Sequence, residues 1–166
     1  MGIDFSKTEC QTTTRERRFG IHDAEDNSPA KIMLEDESSW NATVIHDNAK
    51  SILHVAIDHR IEIRREKGEM DKRCDCILVC EDTLILLELK NKRGAWQTEG
   101  LAQIEATLRR LRQEGHRFYS ESPKRKAIVA NRKHQFPSFV ESNKTKREYF
   151  MRQYRTRIQF EAEIVM

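Results

Sequence analysis

The stretch CDCILVCEDTLILLELKNK, residues 74–92, constrains the fold of this chain more than any other. Two apolar runs, rich in Ile, Leu and Val and separated by a short polar break, have the length and residue types of β-strands. Strand side chains alternate between faces. Cys74, Cys76, Leu78 and Cys80 therefore share one face of the first strand, and Asp75, Ile77 and Val79 the other. On the second strand Ile85, Leu87 and Leu89 oppose Leu86, Glu88 and Lys90. A connecting loop with an even number of residues, such as Asp82-Thr83, makes paired residue numbers sum to 165 and sets Asp75 opposite Lys90. It also sets Cys76, Leu78 and Cys80 beside Leu89, Leu87 and Ile85. An odd loop would turn Asp75 onto the apolar face, at several kcal/mol for an unpaired buried charge. The expectation is an even register or an equivalent bulge, with the three charges on one face and the core against the other.

Two carboxylates and one ammonium so close together admit two readings. One is a buried Asp75–Lys90 ion pair, which a fold tolerates without gaining much stability. The other is a net-negative pocket suited to a hard divalent cation with oxygen ligands. The cysteines do not suggest zinc: Cys74, Cys76 and Cys80 lie within one strand rather than as CxxC pairs at turns, and with Cys10 they read as reduced, structural thiols. His54, His59, His116 and His134 fall into no ligand spacing either.

The 166 residues suggest a polar N-terminal arm over 1–30 and a single domain over 31–166. NATVIHD and SILHVAID around Asn48, Ala49 and Lys50 read as a β-hairpin at 41–58, and RIEIRR leads into a turn at Gly68. Leu101, Ile104, Leu108 and Leu111 mark an amphipathic helix ending near Gly115. A short strand follows at 127–130. Beyond Pro137 come a helix with Ser142 as N-cap and a final strand in TRIQFEAEIVM. This order implies a mixed α/β sheet, with a helical crossover between parallel strands near 84–90 and 126–130.

No run approaches the roughly 18 apolar residues of a membrane span, and the polar start resembles no secretory signal, so a cytoplasmic protein is expected. MGIDFS fits only the loose myristoylation pattern. Charge is divided along the chain: residues 1–89 hold 12 Lys+Arg against 19 Asp+Glu, and residues 90–157 hold 18 against 6. A basic second half suits a polyanion such as nucleic acid, although solvated helix faces give the same composition.

Asp75, followed after a hairpin by Glu88-Leu89-Lys90, resembles the PD-(D/E)XK nuclease superfamily over roughly residues 52–131. Cys74 stands where many members have proline, and no helix bearing an upstream acid is evident; Asp58 is the upstream acid with the most apolar surroundings. The resemblance implies a restriction-endonuclease-like mixed β-sheet with flanking helices, here with an added N-terminal β-hairpin. It implies Mg²⁺ or Mn²⁺ on Asp75, Glu88 and the Leu89 carbonyl, with Lys90 acting on the attacking water and the developing phosphorane charge. A lysine beside two carboxylates keeps its ammonium charge, which suits electrostatic stabilisation better than proton abstraction. Gln103 matches a glutamine that several members carry on the next helix, and it sits at the edge of the apolar stripe, turned either to the site or to water. Lys92, Arg93, Lys124, Arg125, Lys126, Arg132 and Lys133 would grip phosphates, while Trp96 stacks a base or, preferably, packs under the helix. The expected activity is hydrolysis of nucleic-acid phosphodiesters, DNA ahead of RNA. The alternative is an inactive nucleic-acid-binding or scaffolding module of the same fold. Selectivity would come from a homodimer, a partner protein or the 41–58 hairpin.

Overall fold

The computed structural model describes residues 3–24, 26–46, 50–133 and 141–166, the side chains of 141 and 142 excepted. Ser142, expected as an N-cap, lies within the helix Glu141–Tyr154 instead, and the turn at Asn48-Ala49, Gly2, His134 and Pro137 lie outside the described residues. In chain order the elements are β1 (Gln11–Thr14), β2 (Arg18–His22), β3 (Lys31–Met33), β4 (Ala42–Ile45), β5 (Ile52–Ala56), β6 (Cys76–Cys80), β7 (Thr83–Lys90), α1 (Trp96–Gln113), α2 (Arg117–Ser120), β8 (Lys124–Asn131), α3 (Glu141–Tyr154), β9 (Thr156–Gln159) and β10 (Glu163–Val165). The class is mixed α/β. A six-stranded sheet runs β1-β5-β6-β7-β8-β9, antiparallel as far as β7 and parallel beyond it. A four-stranded sheet runs β10-β4-β2-β3, with only β10 parallel to its neighbour.

The central hairpin turns through Glu81 and Asp82, and Cys80 pairs with Thr83. The loop is even, as expected, but paired numbers sum to 163, so the next step of the register sets Asp75 against Glu88 rather than Lys90. Glu81 adopts a left-handed φ of 52°, which ends β6 one residue early, and the β-branched Thr83 joins β7 instead of the loop. A slip of two preserves the face of every side chain in the paired stretch.

Both faces of the large sheet are buried, which corrects the expectation of a charged face lying opposite the core. Ile77, Leu84, Leu86, Ala127 and Val129 pack with α1 and α3, while Cys76, Leu78, Ile85, Leu87 and Ile128 pack against Phe19, Ile21 and Val44 of the second sheet. Three further expectations change. β4 and β5 form no hairpin: β5 is buried on both faces between β1 and β6, whereas β4 buries alternate residues and belongs to the second sheet. The stretch expected to be an arm contributes β1 to one sheet and β2 to the other, with Phe5 and Phe19 fully buried. The last strand divides at the buried Phe160 into β9 and β10, one in each sheet.

Helix α1 forms where the sequence pattern places it and carries the crossover between parallel β7 and β8. Gly115, at φ 60°, closes it with the Schellman pair of bonds, His116 N–H to Leu111 O (3.0 Å) and Gly115 N–H to Arg112 O (3.1 Å). Near its start Gly100 lies so close to β8 that a Cβ there would stand 2.6 Å from Val129 Cγ1. This approach lets the helix reach the C-terminal end of β7. Gly100→Ala should therefore lower stability by about 1–2 kcal/mol, despite a helix-propensity gain of about 1 kcal/mol. Urea denaturation of a double-mutant cycle with Val129→Ala should show a coupling of about 1 kcal/mol or more. Additive effects would mean that the helix and strand do not press together at this point.

Candidate active site

At the end of the large sheet β6 and β7 part company, and here the side chains of the paired strands replace the ladder. Asp75 N–H donates to Glu88 Oε2 (3.0 Å), and Leu89 N–H donates to Asp75 Oδ2 (2.7 Å). On the other side of the strand, the Asp75 carbonyl accepts from both Ile57 N–H (2.9 Å) and Asp58 N–H (3.3 Å), two residues against one as in a bulge. Cys74 consequently leaves the face of Cys76 and joins the helix-side core, where its N–H donates to Thr107 Oγ1 of α1 (2.9 Å). Both carboxylates are buried, Asp75 at 6% exposure and Glu88 at 2%.

Lys90 completes the group. Its Nζ lies 3.1 Å from Glu88 Oε1 and donates to Gln103 Oε1 at 2.5 Å. Of the two orientations open to Gln103, the structure has the one facing the site. Its amide nitrogen donates to the Arg73 carbonyl (3.5 Å), and the Arg73 guanidinium donates to Asp58 Oδ1 (2.7 Å). Asp58 is thus satisfied by Arg73 and His59, beside the carboxylate pair rather than in it.

Burial dominates the electrostatics. It raises the Asp75 carboxyl from 3.8 to about 7, against the lowering effect of the Leu89 N–H, and the nearby charges of Asp23 and Asp58 add to the rise. Glu88 is pushed well above its ordinary value, chiefly by burial and then by the Asp75 charge, with Lys90 opposing. Such a pair lacks positive charge, and a bound cation would offset the deficit. The donors fit a hard cation: carboxylates of Asp75 and Glu88, and the Leu89 carbonyl, which projects to the same side of the strand as the Leu89 N–H. A soft metal is disfavoured, because burial raises the Cys74 and Cys76 thiols and keeps them protonated. Among the described residues no group of three or more His, Cys, Asp and Glu side chains could hold a metal ion. A cation here would thus rest on two carboxylates, with carbonyl, water or substrate oxygens completing its shell.

The basic residues divide. Lys92, Arg93, Arg132 and Lys133 follow the strand ends beside Lys90, whose register partner is Asn131. Lys92 is engaged by Glu99, Arg132 by the Ser38 carbonyl, and buried Asn131 ties the two segments together through Lys92 O (2.7 Å) and Lys133 N–H (3.0 Å). Lys124, Arg125 and Lys126 lie beside Thr83, Leu84 and Ile85 at the opposite end of the strands, about 20 Å away at 3.3 Å per residue. Arg125 is held by the Tyr119, Ser122 and Tyr154 carbonyls. Trp96 packs edge-on against Phe160, with ring centroids 5.8 Å apart. Two residues near the site were not anticipated. Thr107 was legible as a polar residue at stripe spacing after Ile104, whereas Asp23, the residue after β2, had no local signal.

Comparison with known proteins adds no relative: no family model matches the chain, and no curated protein or solved structure gives a significant match.

A carboxyl near 7 when folded and near 3.8 when unfolded binds more protons in the folded state across that interval. Stability of the metal-free protein should therefore fall as pH rises from about 4 to 7, with the loss complete above that range. Asp75→Asn keeps an acceptor for Leu89 N–H and removes the charge. It should match the native chain near pH 4 and exceed it by about 2–4 kcal/mol at pH 8, read by urea denaturation in EDTA. A native-to-variant difference that stays the same at both pH values would refute the buried-charge account.

Proposed function

We propose that the chain is a metal-dependent nuclease of restriction-endonuclease-like fold, hydrolysing nucleic-acid phosphodiester bonds, with DNA favoured over RNA. The observation that carries this reading is the meeting of Asp75, Glu88, Lys90 and Gln103 at one strand end, ahead of a helical crossover to a parallel strand. The order β5-β6-β7-β8, antiparallel, antiparallel and then parallel, supports the fold.

Asp75 and Glu88, with the Leu89 carbonyl, would hold Mg²⁺ or Mn²⁺, which when bound supplies Lewis-acid polarisation of a phosphoryl oxygen and a more acidic water. The chain's own residues do the rest. Lys90, oriented by Gln103 and Glu88, presents an ammonium to the negative charge that develops on the phosphorane oxygens. The helix-side core beneath the pair limits water around these charges and so strengthens their interactions. Lys92, Arg93 and Lys133 lie within the same strand-end region and suit the flanking phosphates.

A nucleic-acid-binding module without turnover is the second reading. One observation favours it: both Glu88 oxygens and the Lys90 ammonium already have partners within the chain.

A cleavage screen with Mg²⁺ or Mn²⁺ over linear, nicked, branched and single-stranded DNA and over RNA separates the two. Cleavage by the native chain should fall about 100-fold or more in Lys90→Ala, the scale seen when one electrostatic stabiliser is removed, and should disappear in Asp75→Asn. Equal cleavage by Lys90→Ala would trace the activity to a contaminant, and a native chain that cuts nothing leaves the binding module.

A further inference from the structure

Beyond the carboxylate site, the most distinctive chemistry of the surface is a cleft of about 370 Å³ at the opposite end of β8 and β9. Lys124, Lys126, Arg155, Arg157 and Met151 line it, with Arg125 at its inner wall, and no acidic residue does so among the described residues. Lys124 reaches out to Asp82 (3.1 Å), and Arg125 is locked by backbone carbonyls and stacked on Tyr119 at 4.0 Å. The side chains of Lys126, Arg155 and Arg157 have no hydrogen bond or ion pair among the described residues.

Two features of this arrangement work against stability. Lys126 and Arg157 are register partners on neighbouring strands, and both point away from the helix-side core that takes Ala127 and Ile158, so two like charges stand side by side. Arg155 occupies the junction of α3 and β9 at a left-handed φ of 49°, where glycine or asparagine is easier to accommodate. A chain with 30 basic and 27 acidic residues has acids with which to neutralise such a cluster, yet none of the described ones lines the cleft. An anionic ligand would supply the missing charge. The wall also has an apolar part, the exposed Met151 with the stems of the lysines, able to take the flat face of a base. A duplex is too broad for a concavity of this size.

We infer that this cleft binds a single-stranded segment of nucleic acid, phosphates on Lys126, Arg155 and Arg157 and a base against Met151, with Lys126 about 10 Å along the strands from the level of Glu88. The inference rests on the nucleic-acid reading above only for its choice of ligand.

Fluorescence anisotropy with a labelled single-stranded DNA of about ten nucleotides, in EDTA over a salt series, tests it without turnover. Lys126→Gln/Arg157→Gln should weaken binding about tenfold and flatten the slope of log affinity against log salt by about 1.4, the release from two phosphates. Its thermal midpoint should not fall, because a repulsive pair is removed. Unchanged affinity and slope would overturn the inference, as would equally tight binding of duplex DNA or of phosphatidylserine vesicles with the same dependence on the two residues. A chain that cleaves nothing but shows the salt-dependent loss refutes the catalytic reading alone. A chain that cleaves but whose variant binds as the native does refutes the cleft alone.

Discussion

The reciprocal bonds between Asp75 and the β7 backbone, and between Glu88 and the Asp75 N–H, are the constraint around which the rest of the structure is arranged. Two central strands that separate inside a protein leave backbone donors with no ladder partner, and a buried unsatisfied donor costs about 1–3 kcal/mol. Here two carboxylates accept those donors. This holds the strand ends open without orphaning them, but it introduces two negative charges where water is nearly excluded. Thr107 and Gln103 of α1 supply further partners on the helix side, which requires the helix to sit close. The bare α-carbon of Gly100 makes that closeness sterically possible. Strand separation, charge burial and helix seating are thus one arrangement.

How much of this was legible follows from what a period of two can and cannot encode. It put Glu88 and Lys90 on the face of Leu86 correctly, because any even loop preserves parity, whereas Asp75 lies one residue beyond the paired stretch, where Cys74 has left the alternation. It could not choose between a sum of 165 and a sum of 163, since that choice depends on whether Glu81 accepts a left-handed φ. The burial of both sheet faces was open to a different reading: ILVC and LILL are continuous apolar runs, the mark of strands covered on two sides, whereas β4 alternates as a strand covered on one. The same contrast separates β4 from β5, which sequence proximity alone joins into a hairpin. The N-terminal stretch misleads for another reason: its few large apolar residues, Phe5, Phe19 and Ile21, are scattered among polar ones, yet each is fully buried in a core assembled from distant parts of the chain.

Proximity in sequence also failed for the basic residues, and the failure is informative. Lys124 to Lys126 and Arg132 to Lys133 flank one strand and looked like one patch, but an extended strand of eight residues carries its two ends to opposite sides of the molecule. At the carboxylate end Lys92 is engaged by Glu99, Arg132 by a carbonyl, and Asn131 fixes the connecting backbone. At the far end Lys126, Arg155 and Arg157 have no such partner among the described residues.

The two ends therefore hold opposite imbalances: excess buried negative charge at one, and excess exposed positive charge at the other. Neither is required by the fold, since Asn at position 75 or Gln at 126 and 157 would keep the backbone bonds and strand propensities nearly intact while removing the repulsion. The ligands proposed above complement these imbalances, a hard cation the first and a polyanion the second. On the function proposed above, a single phosphodiester chain would need to span only about 10 Å along the strands, from the level of Lys126 to that of Glu88, to engage the cleft directly and the carboxylates through a cation. Binding would then relieve at both ends a cost that the free protein carries alone.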